Sequence, residues 1–335
     1  MVIHVYAASS AKGSLDPSEY DPEAAAEINS SPAGGQRAVI HAAVALHRAG
    51  RAFALAIVVD TEGSTYRKRG AVALVTDDGR RIGVISGGCL EAGLGTLGRE
   101  VLASDAPCMM VFDTRSDDDL VFGSGTGCRG RMHVVAVPVR PGRPSVAFDA
   151  IARAHTRRES AVIELAEVAP GRFGHGRVNI ESPPTLVAIG AGPELPPLLR
   201  IARTLGWFTC VSDHRDGLLS AERIVDADLV LRGRPKTALG ELGGQRIDAA
   251  IVMTHLAEVD LEALTAIAGS NVSYVGLLGP PGRRDELLGR LHEAERRALQ
   301  GRLHAPVGLR LGGEGPEAIA LAIAAELQQE FQRSR

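Results

Sequence analysis

From Thr185 onward the chain repeats one pattern, in which a short apolar run is followed by a glycine-marked turn or a helical stretch. The runs are Thr185-Leu-Val-Ala-Ile189, Phe208-Thr-Cys-Val-Ser212, Ala250-Ile-Val-Met253 and Val275-Gly-Leu-Leu278. Each is too short for a stable helix and apolar on both alternating faces, which suits a strand buried between two layers. Parallel strands need crossover helices, and Leu195 to Leu205 and Pro316 to Leu327 have the right spacing, the second with proline in its first turn. The first half mixes helical spacing at Ala38 to His47 with strand-like runs at Phe53 to Val59, Ala71 to Val75, Arg81 to Ile85, Met109 to Phe112 and Met132 to Pro138. The expected fold class is α/β, an N-terminal mixed α/β domain followed by a Rossmann-like parallel-sheet domain.

Breaks in the pattern set the expected boundaries. Residues 1–35 read as a tail or short helix, 36–142 as a first domain, 143–183 as a connecting segment with a helix at 146 to 157, and 184–330 as the Rossmann-like domain. Glycine, polar residues and Pro183-Pro184 mark the second boundary.

Composition narrows the function classes. A net charge of -3, with bases dispersed among few aromatics, gives no electrostatic footprint for nucleic acid. The chain lacks an apolar run of about 18 residues, so no membrane span is expected, and Met1-Val-Ile-His-Val5 lacks the basic start of a secretory signal; a cytoplasmic location is the expectation. Four cysteines at 89, 108, 128 and 210 form neither a disulfide framework nor a CxxC pair, and Cys108 and Cys210 read as buried small hydrophobes.

The other two cysteines lie in glycine-rich turns, Ser86-Gly-Gly-Cys89 and Gly123-Ser-Gly-Thr-Gly-Cys128. Glycines let backbone amides approach an anion and a thiolate holds a soft metal or sulfur, so together they point to an anionic, sulfur-containing cofactor. Glu62-Gly-Ser-Thr65, followed by Arg67, Lys68 and Arg69, offers hydroxyls and bases for a phosphate tail. Gly190-Ala-Gly192 follows a strand and precedes a helix, and Asp213 stands where a carboxylate holds a ribose in a dinucleotide fold. His255 and Asp260 follow a later strand, and Arg283 and Arg284 open a helix. Against a nucleotide stand Pro193, Glu194 and Leu195, which replace the third glycine and place a negative charge in the turn.

The motifs Glu62-Gly-Ser-Thr65, Arg69-Gly-Ala71, Gly83-Val-Ile-Ser-Gly-Gly-Cys-Leu-Glu91 and Gly125-Thr-Gly-Cys-Arg-Gly130 resemble the amino-terminal domain of the XdhC/CoxI accessory proteins. Gly190-Ala-Gly192, Asp213-His-Arg215, Met253-Thr-His255, Tyr274-Val-Gly-Leu-Leu-Gly279, Ala305-Pro-Val-Gly308 and Pro316-Glu-Ala-Ile-Ala320 extend the resemblance in family order across most of 38–327. The resemblance implies an accessory protein that binds molybdenum cofactor, protects it during sulfuration with a cysteine desulfurase, and delivers it to the apo-enzyme of a xanthine dehydrogenase or related molybdenum hydroxylase. It implies a homodimer, and a cofactor-insertion chaperone rather than an enzyme.

On that reading Cys89 and Cys128 contact the molybdenum or its sulfur, while Gly87, Gly88, Glu91, Ser64, Thr65, Arg69, Gly125 and Gly127 surround the cofactor. Two departures from the family pattern are Tyr66, where many members have proline, and Pro193, where many have histidine. The rival readings are an NAD(P)-dependent oxidoreductase using Gly190, Gly192, Asp213 and His255, and a redox sensor or scaffold built on Cys89 and Cys128.

Overall fold

A computed structural model describes residues 2–7, 12–14, 29–30, 33–86, 91–113, 130–168 and 176–333. The chain divides into two compact units, Met1–Ser182 and Pro183–Arg335.

The first unit is built on strands β1 (Val2–Ala7), β2 (Lys12–Ser14), β3 (Asn29–Ser30), β4 (Phe53–Gly63), β5 (Val72–Thr76), β6 (Arg81–Ile82), β7 (Cys108–Asp113) and β8 (Gly130–Val139). They form one sheet in the order β2-β1-β7-β8-β4-β5-β6-β3, antiparallel apart from the β3–β6 pair. Of the leading residues, Val2–Ala7, Lys12–Ser14 and Asn29–Ser30 form strands where a tail or short helix is expected. Val2-Ile-His-Val-Tyr-Ala7 is rich in β-branched and aromatic residues and pairs with β7 from Val2 opposite Asp113 to Ala7 opposite Cys108.

Alternation along β4 sorts its side chains between two cores. Phe53, Leu55, Ile57 and Val59 face one way, with residues of helices Gly35–Arg48 and Val146–Arg157. Ala54, Ala56 and Val58 face the other, under helix Glu91–Ser104. That helix lies close to the sheet because it presents glycine. A Cβ at Gly98 would fall on the Val75 side chain, and one at Gly93 would come 2.8 Å from the Phe112 ring.

The stretch expected to connect the domains is packed into this unit. Phe148, Ile151, Ala161 and Ile163 share the cluster of Phe53, and β9 (Ala161–Glu164) pairs with β10 (Arg177–Ile180). Cys108 and Cys210 are both buried, as expected of small hydrophobes.

The second unit carries β11 (Thr185–Ile189), β12 (Phe208–Asp213), β13 (Leu229–Arg232), β14 (Ala249–Val252), β15 (Tyr274–Leu277) and β16 (Leu303–His304). All neighbours are parallel, in the order β13-β12-β11-β14-β15-β16. This is the doubly wound order, whose ligand crevice lies at the carboxyl ends of the two central strands, here β11 and β14. Helices Leu195–Leu205 and Gly315–Arg333 cover one face, locked where Trp207 meets Phe331 edge-on at 5.0 Å. Helices Pro235–Glu241, Ala257–Ala268, Pro281–Arg290 and Glu293–Leu299 cover the other.

Two stability measurements check this packing. Gly98→Ala gains helix propensity yet overpacks Val75, and a net loss of about 1–2 kcal/mol is expected in denaturant titration. Gly282→Ala, where a Cβ meets nothing within 4 Å, is expected to be neutral or to gain up to about 1 kcal/mol. Burial, reinforced by His41 and Arg37, lowers His155 to about 4. The unfolded chain takes up this proton below an ordinary value of about 6.5, so the contribution is full above that pH and is lost as pH falls towards the folded value. Thermal melts at neutral and mildly acid pH should show His155→Gln losing less stability on acidification than the parent chain.

Candidate functional site

The pairing of β4 with β8 carries a bulge between Val58 and Asp60. Before it the paired residues are apolar; beyond it Asp60 stands opposite His133 and Glu62 opposite Arg131. Arg131 lies 3.8 Å from both Glu62 and Asp113, and His133 lies 3.7 Å from Asp60. Burial, with Arg131 beside it, holds the His133 imidazole below its ordinary range against the pull of Asp60, Glu62 and Asp113.

Three chain segments are rooted at this end of the sheet. Gly63 is paired with Gly130, and a Cβ on Gly130 would come 2.8 Å from both the Ser64 carbonyl carbon and the Thr65 methyl. The chain emerging from the Cys128 segment is thus seated directly on the Gly-Ser-Thr turn. Helix Glu91–Ser104 begins at the same end, since Gly93 lies against Phe112, itself paired with Met132.

Ser64 is exposed, whereas the Thr65 hydroxyl donates to the Arg67 carbonyl at 2.9 Å and accepts from Lys68 at 3.2 Å. Arg69 donates to the Arg177 carbonyl of β10, and Gly70 fits under the Asn179 carbonyl. Cys89, Cys128, Gly87, Gly88, Gly125 and Gly127 lie outside the described residues, as does the side chain of Glu91. Among the described residues no three of His, Cys, Asp and Glu converge to hold a metal ion.

At the carboxyl edge of the Rossmann-like sheet the sequence-predicted residues come together. Gly190 has φ +113° and crosses the end of β14 so closely that a Cβ would lie 2.5 Å from the Met253 carbonyl and 2.7 Å from the Thr254 nitrogen. His255, also left-handed at φ 62°, sets its Nε2 3.3 Å from the Glu194 carboxylate, above Gly192.

Asp213 is buried and its oxygens are engaged. They accept from the Ala191 amide at 2.7 Å, from the Arg215 amide at 2.9 Å, and from the Arg215 guanidinium at 2.9 and 2.8 Å. Burial pushes its carboxyl up, but these bonds outweigh it and hold the group below the usual range. Asp260, with no exposure at all, accepts from the Thr254 amide and hydroxyl at 3.1 and 2.6 Å and from Arg283 at 2.7 Å. Arg223 donates to the carbonyls of Ala191 and Gly192.

Three features of this edge stand against a dinucleotide. The amide of Ala191, in the turn where a pyrophosphate docks, is bonded to Asp213. Asp213, which would hold the ribose, is held in turn by Arg215. Glu194 adds a buried carboxylate to the same turn.

Comparison with known proteins gives the lineage. Residues 186–327 match the XdhC Rossmann domain, and residues 46–113 match the XdhC and CoxI family. A Bacillus subtilis protein described as a probable xanthine dehydrogenase subunit is 31% identical, over 83% of this chain and 93% of its own. The chain belongs to the XdhC and CoxI family. An Escherichia coli member, the molybdenum cofactor insertion chaperone PaoD, is 23% identical over 87% of each chain. A crystal structure from Bacillus halodurans, described as a xanthine dehydrogenase, superposes with a TM-score of 0.73 at 27% identity, covering 88% of this chain and 96% of that one.

Several residues that shape both edges escape sequence reasoning. Arg131 and His133 sit in an apolar-looking strand, and only the bulge turns them into a polar ladder with Asp60 and Glu62. Arg283, at the start of its helix, neutralises Asp260, and Arg215 does the same for Asp213. A carboxylate just beyond an apolar strand, with arginine two residues on, was the available signal for the second pair.

Asp213→Asn is expected to cost about 1.5–3 kcal/mol at neutral pH, the worth of charge-assisted bonds to a buried acceptor. The parent contribution is complete above about pH 3.9 and is lost as pH falls through the lower folded value. Urea titrations across that window should therefore converge for parent and variant at the acid end.

Proposed function

We propose that this chain is an accessory protein that binds molybdenum cofactor as cargo, shields it while sulfur is supplied by a cysteine desulfurase, and passes it to a xanthine dehydrogenase or related hydroxylase. The observation that carries the reading is the likeness, over most of both chains, to a relative named as a molybdenum cofactor insertion chaperone. The sheet end where Gly130 meets the Gly-Ser-Thr turn and helix Glu91–Ser104 begins supports it, since the Cys89 and Cys128 segments adjoin these residues in the chain. Soft thiolates at Cys89 and Cys128 suit molybdenum or its exchangeable sulfur. The exposed hydroxyl of Ser64, with Lys68 beside Thr65, suits the phosphate tail. Arg69 is bonded to the Arg177 carbonyl and serves this edge by holding the β9–β10 hairpin.

Binding must be tight enough to protect and weak enough to release on contact with the recipient, so a rim of loops on rigid strands suits the task better than a closed cavity. We further read the working form as a cytoplasmic homodimer. The oxidoreductase alternative is disfavoured by the engagement of the Ala191 amide and Asp213.

Anaerobic purification from cells making the cofactor, followed by molybdenum and pterin quantification, tests the reading. Both are expected with the parent protein, and Cys89→Ala should lower loading about tenfold or more, at least the cost of losing a supporting contact to a metal site. Folded parent protein carrying neither would sink the proposal. Equal loading of Cys89→Ala, with loss in Cys128→Ala, would move the contact to the second thiol, and stoichiometric NAD(P) binding would favour the rival.

A further inference from the structure

Helices Gly35–Arg48 and Val146–Arg157 of the first unit enclose an open groove of about 420 Å³. Its walls carry Arg48, Arg153 and Arg157, and its apolar lining comes from Val44, Phe148 and Ala152. All three arginines are exposed, and their guanidinium groups make no hydrogen bond or ion pair with any described residue. Several other exposed arginines are paired, as Arg203 with Asp226, Arg232 with Asp216 and Arg234 with Glu262. The one carboxylate in the groove, Asp149, accepts from the Ser145 amide at 3.1 Å and belongs to the start of its helix.

Folding alone does not account for this arrangement. Arg48 and Arg157 end their helices, where a cation meets the negative pole of the dipole. Arg153 has no such reason to be there, and Arg153 and Arg157, four apart on one helix, repel each other. Three unpaired cations over an apolar lining, in a chain whose net charge is -3, call for a negative partner that also carries apolar surface. From Asp149 to Arg157 the wall runs about 12 Å at 1.5 Å per residue, longer than one phosphate and matched by about four extended residues.

We propose that this groove docks an acidic segment of a partner protein, its carboxylates reaching Arg48, Arg153 and Arg157 while an apolar side chain rests among Val44, Phe148 and Ala152. None of the residues assigned to cofactor handling lies in the groove, so this proposal stands or falls independently of that role.

The test uses the full chain and a fluorescent peptide of glutamates interrupted by leucines, with binding followed by anisotropy at low and at physiological ionic strength. The parent protein should bind, and Arg48→Glu/Arg153→Glu/Arg157→Glu should weaken binding about tenfold or more, as expected when complementary charges become like charges. Arg200→Glu/Arg310→Glu, which reverses two other exposed or half-exposed arginines without partners among the described residues, should leave binding within about twofold. Melting temperatures establish folding, and if the triple variant fails to fold, Arg153→Gln with its reduced salt dependence gives the same readout. No binding by the parent protein, or an equal loss in the control variant, would overturn the proposal. So would tripolyphosphate, or vesicles containing phosphatidylserine, binding through the same arginines more tightly than the peptide.

Discussion

The β-bulge between Val58 and Asp60 governs what the first unit presents at its functional edge. Up to Val58, β4 is a strand buried on both faces, with large side chains towards one core and small ones towards the other. One extra residue then changes the register against β8, and the next pairs are Asp60 with His133 and Glu62 with Arg131. The bulge therefore ends the core and begins a polar ladder. Gly63 and Gly130 close that ladder, and the bare Cα of Gly130 is what lets the chain leaving the Cys128 segment rest on Ser64 and Thr65. Any side chain at Gly130 would meet the Ser64 carbonyl and the Thr65 methyl and push that turn away.

The second unit treats its functional edge in the opposite way. A Rossmann-like crevice leaves free amides at the turn after its first strand and a free carboxylate after its second. Here these two groups satisfy each other, Ala191 donating to Asp213, and arginines complete the neutralisation from Arg215 and Arg283. Buried carboxylates of this kind are costly unless every oxygen is bonded, so the edge is held as a closed network. His255 is the member with half its side chain exposed, kept in a left-handed conformation above Gly192.

Strand alternation and glycine placement make much of this architecture legible in the sequence alone. The apolar runs at Thr185, Phe208, Ala250 and Val275 correspond to β11, β12, β14 and β15, because a strand buried on both faces has few other compositions. β13 and β16 escape notice, since Leu229–Arg232 is a half-buried edge strand ending on an exposed arginine and Leu303–His304 is only two residues long. Val2–Ala7 escapes it although its residues favour a strand, because its long pairing is with β7, far away in the sequence. At the site, motif spacing finds Gly190, Asp213 and His255 but not their partners. Whether Asp213 faces a ligand or an arginine depends on Arg215 folding back onto it, a tertiary fact that spacing does not encode.

These two edges constrain how the cargo reading works. In the Rossmann-like unit the Ala191 amide and Asp213 are bonded to each other and Asp213 to Arg215, so cargo binding through these groups would have to break bonds that stabilise the fold. In the first unit Arg131 stands 3.8 Å from the carboxylates of both Glu62 and Asp113, beside the turn that carries Ser64 and Thr65. On the proposed reading the cargo is therefore held at the β4–β8 end, which the Cys89 and Cys128 segments adjoin in the chain, rather than at the self-paired edge of the Rossmann-like unit.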